Sequence, residues 1–402
     1  MKKNFPNFLK ICFSIFLTGA AVNFCPGQDS GAIQINKRAD IPGLTKPIPV
    51  SLDGFSGEVA DVLKFDLYVQ GFSFVAPDAA QYQISGSAGD SVTGSVTDKL
   101  AKKVILSNRY TGTNLRRQAH AFANDIVFTI TGKKGIGLTQ IAFKAQPTGN
   151  GAGEIYVSDF DGHDAQPVTH DDVIVSHPSW APGRLALFYN SYKLGNPDIY
   201  FHDLSAGQRS LVAHYGNLNI SPAVSPDGTK LALISDKDGW VDLYVADADG
   251  GNLKRLTKSP EDESSPCWSP DGKWICFATK IGERRRLAKI PADGGEIQVI
   301  STSTAPNPTE PDWSPDGKWI AFTSQTSEFD ICVMPADGSK DPAVLVPGEA
   351  PSWSPNSRTL IFSHSVRYQQ TLSVLDVFTK QVKDVGRIAG SDSEPAWRKD
   401  MN

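Results

Sequence analysis

The sequence predicts a mainly β fold, a six-bladed β-propeller preceded by a small α/β domain. Three observations carry this expectation. The first is a recurring phrase, Pro-x-Trp-Ser-Pro-Asp-Gly, whose copies open at Pro178, Pro222, Pro266, Pro311, Pro351 and Pro395. The spacings are 44, 44, 45, 40 and 44 residues, a period that fits one four-stranded blade per unit. The second is the pattern after each phrase: a short apolar strand, then a second strand ending in an Asp-Gly turn. Leu231-Ala-Leu233 and Asp242 to Gly250 are the clearest pair. The third lies at the ends. Ile141-Ala-Phe143 with Glu154 to Gly162 forms a unit without its opening phrase, and Pro395-Ala-Trp397 is an opening phrase without a unit. Joined in one sheet, the two halves make a sixth blade and close the ring, which leaves no open sheet edge between first and last blades.

Taken in order, residues 1–27 read as an export signal. Lys2 and Lys3 precede an apolar stretch from Phe8 to Val22, and Gly19-Ala20-Ala21 supplies small residues suited to cleavage. The chain is 402 residues long with a net charge of −5. Removal of the segment takes away Lys2, Lys3 and Lys10 and leaves 36 basic against 44 acidic residues, or −8. That balance disfavours a nucleic-acid partner. No later run is long and apolar enough to span a bilayer. The expectation is an exported, soluble, monomeric protein of the periplasm.

Residues 28–138 do not repeat and are expected to form the α/β domain. Ile33-Gln-Ile35, Ile48-Pro-Val50 and Phe72 to Val75 read as strands. Ser56 is placed to cap a helix with Val59, Val62, Leu63 and Leu67 on one face, stopped by Gly71. Ser85 to Ser95 is turn-rich and hairpin-like, and Lys103 to Asn108 is a further strand. A second helix carries Leu115, Ala119, Phe122, Ile126 and Ile130 and ends at Gly132. Gly135-Ile-Gly137 links into the propeller, residues 139–402.

The tryptophans of the phrase read as core, wedged between blades, since Val224 occupies the same slot in one copy. Of five cysteines, Cys12 and Cys25 lie in or near the signal. Cys276 and Cys332 take the places of small or apolar core residues, and a bridge from Cys267 to Cys276 is left open. Asp159-Phe-Asp161-Gly-His-Asp164 has the acidic spacing of a calcium loop but lacks its remaining ligands, so no metal is assigned. Arg284-Arg-Arg286 reads as a solvated hairpin tip. The chain carries no Gly-x-Ser-x-Gly elbow, His-Glu-x-x-His, Cys-x-x-Cys or phosphate loop, and none of its seven histidines pairs at helix-ligand spacing. The expectation is a protein without catalysis or cofactor.

From about residue 30 onward the chain resembles the TolB family, periplasmic propeller proteins of the Tol-Pal envelope system. The resemblance is most specific at Gly135-Ile-Gly137, Ile141-Ala-Phe143 and Glu154-Ile-Tyr-Val-Ser-Asp-Phe-Asp-Gly162. It implies a non-enzymatic scaffold that binds a Pal-like peptidoglycan-associated lipoprotein at the propeller and a TolA-like inner-membrane protein at the N-terminal segment. In the family the lipoprotein contacts lie in loops leading into the opening prolines. The corresponding positions are Ser221, Ser264, Glu310, Glu349 and Glu394, which would form an acidic mouth suited to a basic partner patch. The chain departs from the family in a short, Ser/Gly-rich first domain and in a basic Lys37-Arg38 within the Ser30 to Pro47 stretch. Two other readings remain: an exported propeller for another envelope protein or glycan, and a propeller hydrolase or lyase.

Overall fold

The computed structural model describes residues 41–147, 152–386, 388 and 390–400. The expected signal, the strand at Ile33 to Ile35, Lys37-Arg38, Cys12 and Cys25 lie outside the described residues. Among the described residues the strands form one five-stranded sheet and six four-stranded sheets. No described helix is long and apolar enough to cross a membrane.

The first sheet comprises β1 (Ile48–Asp53), β2 (Phe72–Phe74), β3 (Tyr82–Ala88), β4 (Val92–Asp98) and β5 (Lys103–Tyr110), in the order β2-β1-β3-β4-β5. β1 runs parallel to β2 and β3, and β3 to β5 form an antiparallel meander. Helices α1 (Gly57–Tyr68) and α2 (Leu115–Thr131) pack on this sheet. α1 buries Val59, Val62, Leu63 and Leu67, the face its periodicity predicted. Ser56 stands at its N-cap without a side-chain bond, and the helix ends at Val69, two residues before Gly71. α2 is capped more firmly: the Asn114 side chain accepts from the Arg117 N–H, and Gly132 closes it at φ 71°. Gly94 of β4 has no side chain because the Phe122 ring of α2 lies against it, where an added Cβ would sit 2.2 Å from the ring.

Each of the other six sheets is a blade. The innermost strands are Ser391–Trp397, Val175–Trp180, Asn219–Val224, Glu263–Trp268, Pro308–Trp313 and Glu349–Trp353, for blades 1 to 6. Blade 1 has the sequence-distant order expected: Ser391–Trp397 pairs antiparallel with Gln140–Gln146, which continues to Glu154–Asp159 and Gln166–Pro167. The chain's last described strand thus completes its first blade.

The recurring phrase explains itself locally. In blade 3 the Ser225 hydroxyl donates to Asp227 at 2.6 Å and accepts from the Lys230 N–H at 2.9 Å, while Gly228 takes φ 73°. Ser269 with Asp271, Ser314 with Asp316, and Ser354 with Asn356 repeat the bond. A tight turn needs a residue tolerant of positive φ and side chains that satisfy its amides. The tryptophans fasten neighbouring blades. The Nε1 of Trp180, Trp268 and Trp353 donates to the backbone carbonyls of Ala396, Ala223 and Asp312 in the preceding blade. Trp353 and Trp397 are fully buried, and the others border the central channel. Cys267 and Cys276 are register partners on adjacent strands and, like Cys332, are buried free thiols.

The first domain rests on one end of the propeller. Thr359 donates to the Val69 carbonyl at 3.2 Å, and Gln381 donates to that of Phe72 at 2.8 Å. Phe160, which comes directly after Glu154–Asp159, packs between Phe65 of α1 and Trp397. All of these groups lie at the end where the innermost strands finish.

Candidate partner-binding mouth of the propeller

At the other end the innermost strands begin, and there the six blades share an unusual backbone. The residue immediately before each opening proline is left-handed: His177 (φ 50°), Ser221 (55°), Ser265 (50°), Glu310 (51°), Ala350 (51°) and Glu394 (52°). The ladder to the second strand slips at this point in every blade. Proline has no N–H to give the ladder and crowds the residue before it out of the right-handed helical region. A bulge with a left-handed residue resolves both demands. None of the six is glycine, so each stores about 1–3 kcal/mol. Strain repeated around one opening re-aims side chains, and all six line a central cavity of ≈ 440 Å³.

Two carboxylates of this ring bind the next blade. Glu394 of blade 1 accepts from the His177 N–H of blade 2 at 2.7 Å, and Glu310 of blade 5 accepts from the Ala350 N–H of blade 6 at 2.9 Å. Thr323 also donates to Glu310, at 2.7 Å. The His177 ring stands 3.4 Å from Glu394, with the Lys144 ammonium 4.0 Å away on its other oxygen. Burial raises the Glu310 carboxyl above the usual range, and the charge of Glu349 adds to this. The bonds from Thr323 and Ala350 and the nearby His177 act in the opposite sense. The ring therefore offers half-buried carboxylate acceptors, one imidazole at its edge and two serine hydroxyls.

Of the five positions expected from sequence, Ser221, Glu310 and Glu394 line the cavity. Ser264 and Glu349 precede the left-handed residue by one and turn away from it: Ser264 lies 3.5 Å from Arg285, and Glu349 accepts from Gln370 at 2.5 Å. The matching positions are Ser265 and Ala350. His177 completes the ring. It is an addition to the expected set, although it too stands directly before a proline.

Hairpins between second and third strands surround this mouth, because antiparallel pairing sets the end of each second strand beside the start of the innermost one. Their tips expose large apolar side chains on five successive blades: Leu194, Trp240, Ile281, Phe329 and Tyr368. The blade 1 tip includes residues outside those described. Arg284 is also exposed, on the blade 4 tip beside Ile281.

Comparison with known proteins places this arrangement. A family model described as the PD40, TolB beta propeller domain matches residues 127–401. The Tol-Pal system protein TolB of Geobacter sulfurreducens is 33% identical over 154 residues, 31% of this chain and 35% of that protein. The protein TolB homolog of Chlorobium chlorochromatii is 34% identical over 117 residues, 28% of this chain and 26% of that protein. These matches therefore span well under half the length of either curated relative. The crystal structure of TolB from Acinetobacter baumannii is similar over 89% of this chain and 98% of its own, with a TM-score of 0.79 and 20% identity, a likeness of fold. With the family model covering the whole propeller, the chain belongs to the TolB β-propeller family.

Proposed function

We propose that this protein is a periplasmic, non-enzymatic scaffold of the Tol-Pal system whose propeller mouth holds a Pal-like peptidoglycan-associated lipoprotein. On this reading it helps maintain outer-membrane integrity and constriction during division. The observation that carries it is the ring of six strained, non-glycine residues at the mouth facing away from the first domain. Such strain persists only where the surrounding fold enforces it, and it clusters at working sites. The names of the relatives supply the system, and the apolar tips around the ring supply the contact area. The N-terminal stretch Ser30 to Pro47 is the place proposed for a TolA-like inner-membrane protein.

The two glutamates are poor positions for a binding test, since each also caps a neighbouring blade. Ser221 and Ser265 enter the same cavity without that duty. Residues 28–402 are used to capture partners from an envelope extract known to contain a Pal-like lipoprotein. The wild type should retain it, and a Ser221→Arg/Ser265→Arg variant of unchanged melting temperature should lose at least about tenfold, the equivalent of 1.4 kcal/mol. Equal retention by both would remove the mouth from the proposal, and no retention by the wild type would refute the scaffold reading.

A further inference from the structure

The junction between the first domain and the propeller encloses a charged array that partner binding at the far mouth does not use. α1 contributes Asp66, fully buried, and α2 contributes His120, 2% exposed. The turn after Glu154–Asp159 contributes Asp161. The His120 ring lies between two carboxylates, with Nδ1 2.7 Å from Asp66 and Nε2 3.6 Å from Asp161. Arg116, one turn earlier on α2, pairs with Asp161 and reaches the exposed Glu58 at 3.4 Å. Asp159 is a further carboxylate close enough to feel His120 and Arg116. Phe160 closes over the imidazole edge-on at 5.9 Å.

Charge counting decides the state of this array. With a neutral imidazole, Asp66, Asp159, Asp161 and Arg116 sum to two uncompensated negative charges in a largely buried site. One added proton halves the sum. Both ring nitrogens face carboxylates, and both are donors only in the charged imidazolium. Burying an unbalanced charge is costly, so the folded junction favours holding the proton. We propose that a proton on His120, held between Asp66 of α1 and Asp161 of the propeller, latches the first domain to the propeller, firm in mildly acidic solution and loosened as the solution becomes alkaline.

The titration behaviour agrees in sign. Burial, partly offset by His120, lifts the Asp66 carboxyl to about 6. Burial alone would lower His120, but Asp66 and Asp161 together raise it above its usual value. Groups whose folded pKa is raised contribute stability that is present at low pH and lost as pH climbs through the folded value. The Asp66 contribution is therefore lost between about pH 4 and 6, and that of His120 as pH climbs from its ordinary value through its raised one. Burial raises Asp159 as well, which adds to the same trend.

The latch also touches the connecting chain. Gly137 passes so near Asp66 that an added Cβ would lie 2.7 Å from its Oδ2. The Gly137 N–H donates to Asn124 at 2.8 Å, and the Ile136 N–H donates to Gln70 at 3.2 Å. Gln70 in turn donates to the Asp66 carbonyl at 2.9 Å. The bonds from Thr359 and Gln381 do not titrate, so loss of the proton loosens the junction without severing it.

Hydrogen exchange of residues 28–402, corrected for intrinsic rate, is measured at pH 6 and pH 8.5 on peptides covering α1, α2 and 132–139. Propeller peptides serve as the internal reference. Junction opening in the wild type should rise severalfold relative to the propeller as His120 loses its proton. Asp66→Asn removes one negative charge without a proton and should change less than about twofold. An equal pH response in this variant, or none in the wild type, would overturn the latch. If Asp66→Asn fails to fold, histidine NMR of the wild type decides: His120 should be doubly protonated at pH 6.5, and a neutral ring there would overturn it.

Discussion

Removal of Trp397 tests whether the ring depends on its last strand. The side chain is 2% exposed, its Nε1 donates to Thr139 at 2.9 Å, and its ring stacks on Phe160 at 5.9 Å. Replacing a buried tryptophan by alanine costs about 3–5 kcal/mol through lost burial and the cavity left behind. Trp353→Ala in blade 6 removes an equally buried indole and should cost about the same. Deleting residues 393–402 does more. It removes the indole and three of the five register pairs to Gln140–Gln146, and it exposes that strand as an edge. It also takes away the carboxylate of Glu394 that caps the His177 N–H and the carbonyl of Ala396 that receives Trp180. Against a typical domain stability of about 5–15 kcal/mol, the deletion should consume more than half of the total. Urea unfolding followed by tryptophan fluorescence and far-ultraviolet circular dichroism measures all three variants. A deleted protein within about 1 kcal/mol of the full chain would refute the closure argument, since a single lost surface contact would then account for it.

The same network of contacts sets three further outcomes. Glu394→Ala should destabilise by about 1–3 kcal/mol in urea because it orphans the His177 N–H, while Glu394→Gln keeps an acceptor and should lose less. Gly94→Ala should lower the melting temperature by the equivalent of about 1–3 kcal/mol, since Phe122 leaves no room for a methyl group. Glu263 is enclosed by Thr257, Ser259 and Thr279, and burial raises its carboxyl to about 7 with Asp242 adding to the effect. Its folded pKa is raised, so stability should fall as pH rises from about 4.5 through 7. Glu263→Gln should remove on the order of 2 kcal/mol of that dependence in melts at pH 5 and 8.

The parts of this molecule that were legible in its sequence are those whose cause is local. The Pro-Asp-Gly turns, the apolar strands between them and the two helices each arise from residues within one turn or one hairpin. Closure was legible because the first and last repeats were complementary fragments. The junction array was not, because Asp66, His120 and Asp161 are separated by 54 and 41 residues and no pattern links them. Asp66 does break the apolar face of α1 beside Leu63 and Leu67, the one sequence sign that a charge was to be buried there.

Of the five expected mouth positions, three line the central cavity and two stand one residue before it, and the reason is physical. Glu349 and Ser264 are expected there by resemblance, as loop residues near the opening prolines. The backbone instead selects one position per blade, the residue that proline forces into the left-handed region. Counting back a single residue from each opening proline gives His177, Ser221, Ser265, Glu310, Ala350 and Glu394, the whole ring. Ala350 makes the point most clearly: it has no functional group of its own, yet it shares the strain, and its N–H donates to the neighbouring carboxylate of Glu310. Residue type can therefore vary around the ring while the opening keeps its shape. Here Glu394 beside His177 and Glu310 beside Ala350 make the two sides of the mouth unlike.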